Sequence, residues 1–132
     1  MKRIHIVAGI IFNQDRSQVF ITQRPEKLHK GGYWEFPGGK VELDETSFQA
    51  MARELNEEVG IIVTEQTLLE HLEYDYPEKS LKFDFILIHD FEGKPYGREG
   101  QRGEWVTISD LSSYRFPEAN QPIVDRVIKE FG

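Results

Sequence analysis

The stretch from Gly38 to Ile61 constrains the fold more than any other part of the sequence. It begins with two glycines and continues with the pattern of an amphipathic helix. Thr46 is a preferred N-cap residue, and Gln49 three positions later completes a capping box. Gly60 provides the C-terminal stop, because glycine adopts a positive φ at little cost. At about 100° per residue, one side of the helix collects apolar residues that we expect to face a core, namely Phe48, Met51, Ala52, Leu55 and Val59.

A second side of the predicted helix gathers Glu54, Glu57 and Glu58 at spacings of three and four residues. Such neighbours lie about 5–6 Å apart at Cβ, and like charges at that distance destabilise a helix. Acidic helix faces are commonly just solvated. Two features favour a bound cation instead: Arg53 lies beside the carboxylates, and the glycine pair before the helix allows backbone to approach a ligand. Clustered hard oxygens of this kind suit Mg²⁺ or Mn²⁺.

Composition limits the kind of protein and the kind of ligand. A chain of 132 residues with 39% hydrophobic residues predicts one soluble globular domain over residues 1–132. The formal net charge of −7 argues against stable nucleic-acid binding. The same charge makes an anionic nucleotide an unfavourable ligand unless metal ions bridge it to the protein.

The cellular setting is constrained by what the sequence lacks. There are no cysteines, which excludes disulfides and thiolate metal sites and is consistent with a cytoplasmic location. No segment approaches the length of a membrane span. The apolar N-terminal run alternates as a strand does and has no small-residue cleavage site, so it does not predict a signal peptide. We expect a cytoplasmic monomer.

The rest of the chain predicts strands and a second helix. Residues Arg3 to Phe12 form a strand with two apolar faces, as in the centre of a sheet covered by helices on both sides. Trp34 and Trp105 are expected in the core. Further strands are predicted at 18–23, 33–36, 61–63, 68–76, 81–91 and 104–108, a short helix capped by Ser109 at 109–113, a loop at 117–120, and a helix at 121–131 with Pro122 in its first turn.

The stretch after the glycine pair fits one long pattern with fixed gaps, G-x5-E-x7-R-E-U-x-E-E-x-G-U, where U is a bulky aliphatic residue. The matching residues are Gly39, Glu45, Arg53, Glu54, Leu55, Glu57, Glu58, Gly60 and Ile61. In this pattern the chain closely resembles the Nudix hydrolase family, whose members use divalent metal to hydrolyse nucleoside diphosphates linked to another moiety. The resemblance implies an α/β/α sandwich with a central mixed β-sheet.

Outside this pattern, the segments IHIVAGIIFN, VFITQR, EFPGGK, GREGQRGEW and FPEANQPI resemble the family members that clear oxidised guanine nucleotides. This implies hydrolysis of 8-oxo-dGTP to 8-oxo-dGMP and pyrophosphate, which prevents mutagenic incorporation during DNA replication. One alternative is another nucleotide substrate, such as a dinucleoside polyphosphate or a capped RNA end. Tyr76 stands at about the place where the dinucleoside-polyphosphate hydrolases of this family carry a tyrosine, although an aromatic residue in a strand is more often there for packing. A second alternative, a non-hydrolysing binding module, typically lacks pattern glutamates that are all present here.

The resemblance also implies which residues hold the metal and assist the chemistry. The metal ligands would be Glu54, Glu57, Glu58, the Gly38 carbonyl, and Glu99 in a long polar loop. An exposed loop glutamate is usually inert, so Glu99 depends on the resemblance alone. Glu54 or Glu99 would act as general base, and Arg53 would orient the carboxylates by ion pairing.

Nine residues are implied as substrate contacts: Arg24, His29, Glu35, Phe36, Pro37, Gly38, Lys40, Lys79 and Asn120. Several have simpler interpretations. Arg24 and His29 would otherwise be solvated surface residues, and Phe36 is either a core aromatic or a wall against a purine. Lys79 stands where relatives carry arginine, and lysine lacks the planar guanidinium. Asn120 is either the N-cap of the last helix or an amide that reads the oxidised base through its donor and acceptor.

Overall fold

A mixed β-sheet organises residues 4–25 and 31–132, which are the residues that the computed structural model describes. Within them the sheet has seven strands. The elements in chain order are β1 (Ile4–Phe12), β2 (Gln18–Gln23), β3 (Trp34–Glu35), β4 (Gly38–Lys40), α1 (Ser47–Val59), β5 (Ile62–Tyr76), β6 (Lys79–Glu92), β7 (Gly103–Thr107), two 3-10 turns (Ile108–Ser113 and Glu118–Asn120) and α2 (Gln121–Phe131). No helix in this part of the chain is long and apolar enough to cross a membrane.

Strand β1 lies at the centre of the sheet. It runs parallel to β6 and antiparallel to β2 and β4, and the strand order is β3-β2-β1-β6-β5. Its alternating side chains enter two separate apolar clusters. Ile10 and Phe12 pack on the face covered by α2, and Val7 and Ile11 pack on the face covered by α1. The predicted α/β/α sandwich with a mixed sheet is therefore confirmed.

Helix α1 begins and ends where its sequence signals predict. Thr46 accepts a hydrogen bond from the backbone of Gln49, the Gln49 side chain bonds back to Thr46, and Gly60 ends the helix at φ 74°. The expectation that Phe48 faces the core is wrong, because its side chain is 42% exposed. The first turn meets the sheet through a polar contact instead, in which the Ser47 hydroxyl donates to Asp84 of β6.

Several boundaries differ from those expected. The two strands predicted at 61–63 and 68–76 are one continuous strand, β5, whose register shifts absorb the polar segment between them. Ser109 does not cap the following turn, which starts at Ile108. The predicted loop at 117–120 contains a 3-10 turn. Trp34 is buried as expected, whereas Trp105 is only partly buried and packs edge-on against Phe20.

Candidate active site

A cavity of about 330 Å³ opens on the sheet face that carries α2. Its floor is apolar and comes from alternate residues of the two central strands, Ile6, Ala8, Leu81 and Phe83. The other lining residues are Val7, Arg24, Glu35, Phe36, Gly38, Gly39, Lys40, Tyr76, Lys79, Pro117, Ala119 and Asn120. An apolar floor with a few polar groups at the edge is the usual construction of a small-molecule site.

Most of the predicted substrate contacts lie in this cavity. Arg24, Glu35, Phe36, Gly38, Lys40, Lys79 and Asn120 all line it. Pro37 does not: it is buried, and its carbonyl accepts a hydrogen bond of 2.8 Å from the Gly9 amide. This hydrogen bond attaches Pro37 to β1, and its contact with substrate stays a prediction. His29 lies outside the described residues.

The cavity holds an ion pair and a shared aromatic wall. Arg24 Nη1 lies 2.9 Å from Glu35 Oε1. Burial raises the pKa of Glu35, and the charge of Arg24 opposes that rise. Phe36 is a core aromatic, buried against Phe116 with ring centres 5.1 Å apart. It also lines the cavity, and its role as a wall against a purine stays a prediction.

Asn120 occupies the N-cap position of α2 but does not cap the helix with its side chain. Its backbone is in the right-handed helical region, at φ −90° and ψ −16°, and its side chain makes no cap hydrogen bond. The interpretation of Asn120 as a hydrogen-bonding N-cap is therefore wrong. The side-chain oxygen of an N-cap residue accepts from a backbone N–H of the first turn when the backbone of that residue is extended, and the backbone of Asn120 is helical. Asn120 is one of the residues that line the cavity.

Arg53 organises the acidic face of α1. Its guanidinium donates to Glu45 at 2.7 and 2.9 Å, to Glu54 at 2.8 Å and to Glu57 at 3.1 Å. It also donates to the Lys40 carbonyl at 3.0 Å, which joins the helix to β4. The expected ion pairing of Arg53 is thus present. No role in the site was predicted for Glu45. The sequence feature that could have revealed one is the fixed place of Glu45 in the pattern, eight residues before Arg53.

Glu58 differs from Glu54 and Glu57 because its carboxylate is turned towards β4, the strand that contains Gly38 and Gly39. It is 8% exposed, and its Oε2 accepts a hydrogen bond from the Gly38 amide at 3.2 Å. Burial is the main cause that raises the pKa of Glu58 to about 8, and the charges of Glu35, Glu99 and Glu54 add to it. Burial also raises the pKa of Glu54, with further repulsion from Glu57 and Glu99. Glu99 therefore acts electrostatically on both helix carboxylates.

The loop that carries Glu99 is fastened to the C-terminal end of α1. The backbone amides of Tyr96 and Arg98 donate to the carbonyls of Val59 and Glu58 at 3.1 and 3.0 Å. The Arg98 guanidinium donates to the Asn56 carbonyl at 2.8 Å, and the Gln101 amide donates to the Glu58 carbonyl at 3.3 Å. These bonds satisfy carbonyls that a helix end leaves without partners and bring Glu99 alongside the acidic face.

Two adjacent glycines connect the cavity to the carboxylates. A Cβ on Gly38 would lie 1.9 Å from the Val7 carbonyl oxygen. A Cβ on Gly39 would lie 2.3 Å from Oε2 of Glu54. Both glycines also line the cavity. The two glycines therefore provide backbone without side chains between the cavity and the acidic face.

The donor set fits a divalent cation, although the carboxylates are not gathered around one point. Among residues 4–25 and 31–132, no three acidic or histidine side chains converge closely enough to bind a metal ion as they stand. Glu54 and Glu57 are instead turned to Arg53. The mutual repulsion of Glu54, Glu58 and Glu99 is what a bound cation would relieve, and carboxylate and carbonyl oxygens are the ligands that Mg²⁺ prefers.

The chain is similar in sequence and in structure to known proteins. The 8-oxo-dGTP diphosphatase of Escherichia coli K12 is 43% identical over 127 residues, which is 96% of this chain and 98% of that protein. The CTP pyrophosphohydrolase of the same organism is 32% identical over 125 residues, 95% of this chain and 91% of that protein. A solved structure from work on MutT of Aliivibrio salmonicida and Vibrio cholerae is 62% identical, with a TM-score of 0.91, and the match covers 98% of this chain and 100% of that one.

The family assignment follows from the match to a family model as well as from these relatives. The model described as the NUDIX domain matches residues 7–126, a range that includes β1, the glycine pair, the acidic helix, the Glu99 loop and Asn120. Members of this family act with divalent metal ions. The chain belongs to the NUDIX domain family.

Proposed function

We propose that this protein hydrolyses 8-oxo-dGTP to 8-oxo-dGMP and pyrophosphate and so keeps an oxidised nucleotide out of replicating DNA. The observation that carries this proposal is the position of Asn120, which lines the cavity and whose side chain makes no helix-cap hydrogen bond. The E. coli and MutT relatives support the same activity.

The chemistry of the base explains why an amide suits this place. Oxidised guanine has an oxygen at C8 and a proton at N7, whereas guanine has a bare acceptor at N7. An amide both donates and accepts, so Asn120 can donate to O6 and accept from N7–H. The apolar floor of Ile6, Ala8, Leu81 and Phe83 suits the flat face of a purine. The cavity volume of about 330 Å³ suits one nucleoside better than the two of a dinucleoside polyphosphate.

The phosphates would extend from this cavity across the glycines to the acidic face. Lys40 and Lys79 at the cavity edge place positive charge there, as does Arg24. Mg²⁺, with Mn²⁺ as a substitute, would be held by Glu54, Glu57, Glu58, Glu99 and the Gly38 carbonyl. When bound, it would neutralise phosphate charge and lower the pKa of water. Arg53 orients Glu54 and Glu57, and Glu54 or Glu99 accepts the proton of the attacking water.

The proposal extends to the state and location of the protein. It works as a single domain over residues 1–132 and as a cytoplasmic monomer that does not bind nucleic acid stably. The negative net charge of −7 supports the absence of stable nucleic-acid binding.

The direct test is a nucleotide panel with product analysis. Turnover of 8-oxo-dGTP, dGTP, CTP, a dinucleoside polyphosphate and a capped RNA is measured with Mg²⁺, with Mn²⁺ and with a chelator. We expect the highest kcat/KM for 8-oxo-dGTP, release of pyrophosphate, and no turnover with the chelator. A higher kcat/KM for CTP would instead favour the activity of the second E. coli relative.

The substitution Asn120→Ala tests the observation that carries the proposal. A buried hydrogen bond left unmade costs about 1–3 kcal/mol, or roughly 5–150-fold in affinity. Calorimetric titration should therefore show a large loss of 8-oxo-dGMP affinity and a much smaller loss for dGMP. Gln121→Ala is the matched control, since that neighbouring amide donates to Asp125 and does not line the cavity. Equal losses for the two nucleotides would show that Asn120 does not distinguish the oxidised base from guanine.

A further inference from the structure

Two separate edges of the cavity are joined to each other by tyrosines. One edge is the end of the β5–β6 hairpin, which contributes Tyr76 and Lys79, and the other is the turn that contributes Pro117, Ala119 and Asn120. The hydroxyl of Tyr74 donates to Glu118 Oε2 at 3.0 Å. Burial raises the pKa of Tyr76, and the backbone of Ala119 partly offsets that rise, which places Ala119 near the Tyr76 hydroxyl. The two tyrosine rings pack together, with centres 4.6 Å apart.

These contacts hold the short segment on which Asn120 is placed. The 3-10 turn spans only Glu118–Asn120. The backbone N–H of Asn120 closes the turn by donating to the Pro117 carbonyl at 2.9 Å. Ala119 is buried, whereas the Glu118 side chain is exposed and crosses to β5. The negative charge of Glu118 is favourable for the neutral phenol, so its hydrogen bond raises the pKa of Tyr74. A hydrogen bond to a carboxylate is also stronger than one between neutral groups.

We propose that Tyr74 and Glu118 form a latch that fixes the turn before α2 and so positions Asn120 to read the base. Tyr74 and Glu118 are then positioning residues for base specificity, and they act without touching the nucleotide. The inference rests on the proposed recognition of the oxidised base by Asn120.

The physical basis is preorganisation. Asn120 can accept from N7–H and donate to O6 only when its amide lies in one orientation at one height above the cavity floor. If the turn is loose, binding must also order it, and this cost reduces the affinity of the ligand that uses Asn120 most. We therefore expect Tyr74→Phe to weaken 8-oxo-dGMP binding by roughly three- to tenfold, with a smaller effect on dGMP.

The chain provides matched variants for this test. Tyr74→Phe removes only the hydroxyl, Glu118→Ala removes the acceptor, and Glu118→Gln keeps an oxygen that can accept. Tyr114→Phe is the control, because the Tyr114 hydroxyl donates to Glu104 at 3.0 Å and neither residue lines the cavity. Affinities for 8-oxo-dGMP and dGMP are measured by titration, and hydrogen exchange is measured at the Ala119 and Asn120 amides of the free protein.

The latch predicts one pattern across these measurements. Tyr74→Phe and Glu118→Ala should lower the ratio of the two affinities by similar factors, and combining them should add little. Both should have no further effect on that ratio in an Asn120→Ala background. Tyr114→Phe should keep the wild-type ratio. Glu118→Gln, which keeps a neutral and weaker acceptor, should give a ratio between those of the wild type and Glu118→Ala.

The measurements distinguish a failure of the latch from a failure of the proposed function. A wild type that does not prefer 8-oxo-dGMP contradicts the proposed function, and the latch is then judged by exchange alone. Faster exchange at Ala119 and Asn120 in Tyr74→Phe supports the latch in that case, and unchanged exchange overturns it. With a wild type that prefers 8-oxo-dGMP, an unchanged affinity ratio in Tyr74→Phe overturns it as well.

Discussion

Glu54, Glu57 and Glu58 of α1 have the same side chain, but their chemical surroundings differ in the folded protein. Glu57 is half-exposed and pairs with Arg53, and Glu54 is partly buried and shares the same guanidinium. Within the described part of the chain, Glu58 pairs with no such cation and accepts from a backbone amide instead. Burial and several negative neighbours raise its pKa to about 8. A helical spacing puts carboxylates on one face, but only the three-dimensional surroundings decide which of them resists ionisation.

We expect Glu57→Gln and Glu58→Gln each to abolish most of the turnover but to differ in their effect on stability. Glutamine at 58 removes a carboxylate whose ionisation is opposed by burial and by three other acids, so the melting temperature measured in a chelator should rise slightly. Glutamine at 57 removes an exposed ion-pair partner of Arg53, and an exposed ion pair contributes little to stability. Turnover and thermal melting are compared in both variants. Near-normal turnover in both would take the helix out of the metal site.

At the level of elements, the local signals at both ends of α1 predicted its bounds correctly, whereas contacts between distant residues could not be predicted. The start and end of α1 follow from Thr46, Gln49 and Gly60, which lie within one helix, and the bounds of α2 agree with their prediction. The exposure of Phe48 could not be foreseen, because it depends on how the first turn meets β6. The side chain of Asn120 could not be placed either, because helix-cap and ligand-reading roles use the same residue type.

A polar cluster beneath the start of α1 shows this limit most clearly. Asp84 of β6 is buried and accepts hydrogen bonds from Ser47, His5 and His71, which come from a helix and two neighbouring strands. Burial raises the pKa of Asp84, but these hydrogen bonds outweigh it and hold the pKa below its usual value. The partners lie 13 to 79 residues from Asp84 in the chain, so no local pattern reveals the cluster.

This cluster predicts a pH-dependent contribution to stability. The hydrogen bond to Asp84, with a second one to Glu73, raises the pKa of His71. A raised pKa means that the folded state binds the proton more tightly, so the contribution is complete below the unfolded value of about 6.5 and is lost as pH rises through the folded value. His71→Gln should therefore lower the melting temperature most below about pH 6.5 and progressively less at higher pH.

Asp84→Asn provides the control for the histidine. Without the carboxylate, His71→Gln should no longer produce a loss that depends on pH, apart from the weaker effect of Glu73. Melting curves from pH 5 to 9 on the two single variants and the double variant separate these contributions. A loss that is constant across this range in His71→Gln would show that the histidine acts only by packing and neutral hydrogen bonding.

At the scale of the whole molecule, one sheet separates two apolar clusters that serve different purposes. The cluster under α2 leaves part of its surface open as the floor of the cavity. The cluster under α1 is closed and supports the acidic helix through fully buried residues such as Met51 and Leu55. Because β1 contributes to both clusters, we expect them to unfold together.

Leu55→Ala tests this coupling. Truncating a fully buried leucine costs about 2–5 kcal/mol, and denaturant unfolding should show one shifted transition by both fluorescence and circular dichroism. Leu68→Ala is the matched control, because that side chain is 51% exposed and its loss should change stability by no more than about 0.5 kcal/mol. Two separate transitions in Leu55→Ala would mean that the two faces unfold independently.

The glycine pair has a consequence for inheritance. Every missense codon at 38 or 39 adds at least a Cβ, but the atoms it meets differ. At Gly38 the obstacle is the Val7 backbone, which cannot yield, so such alleles should deplete the protein from the cell. At Gly39 the obstacle is the flexible end of Glu54, so such alleles should leave normal amounts of a folded protein with a displaced carboxylate. Neighbouring codons would thus produce one class of mutant that lacks the protein and another that carries it inactive.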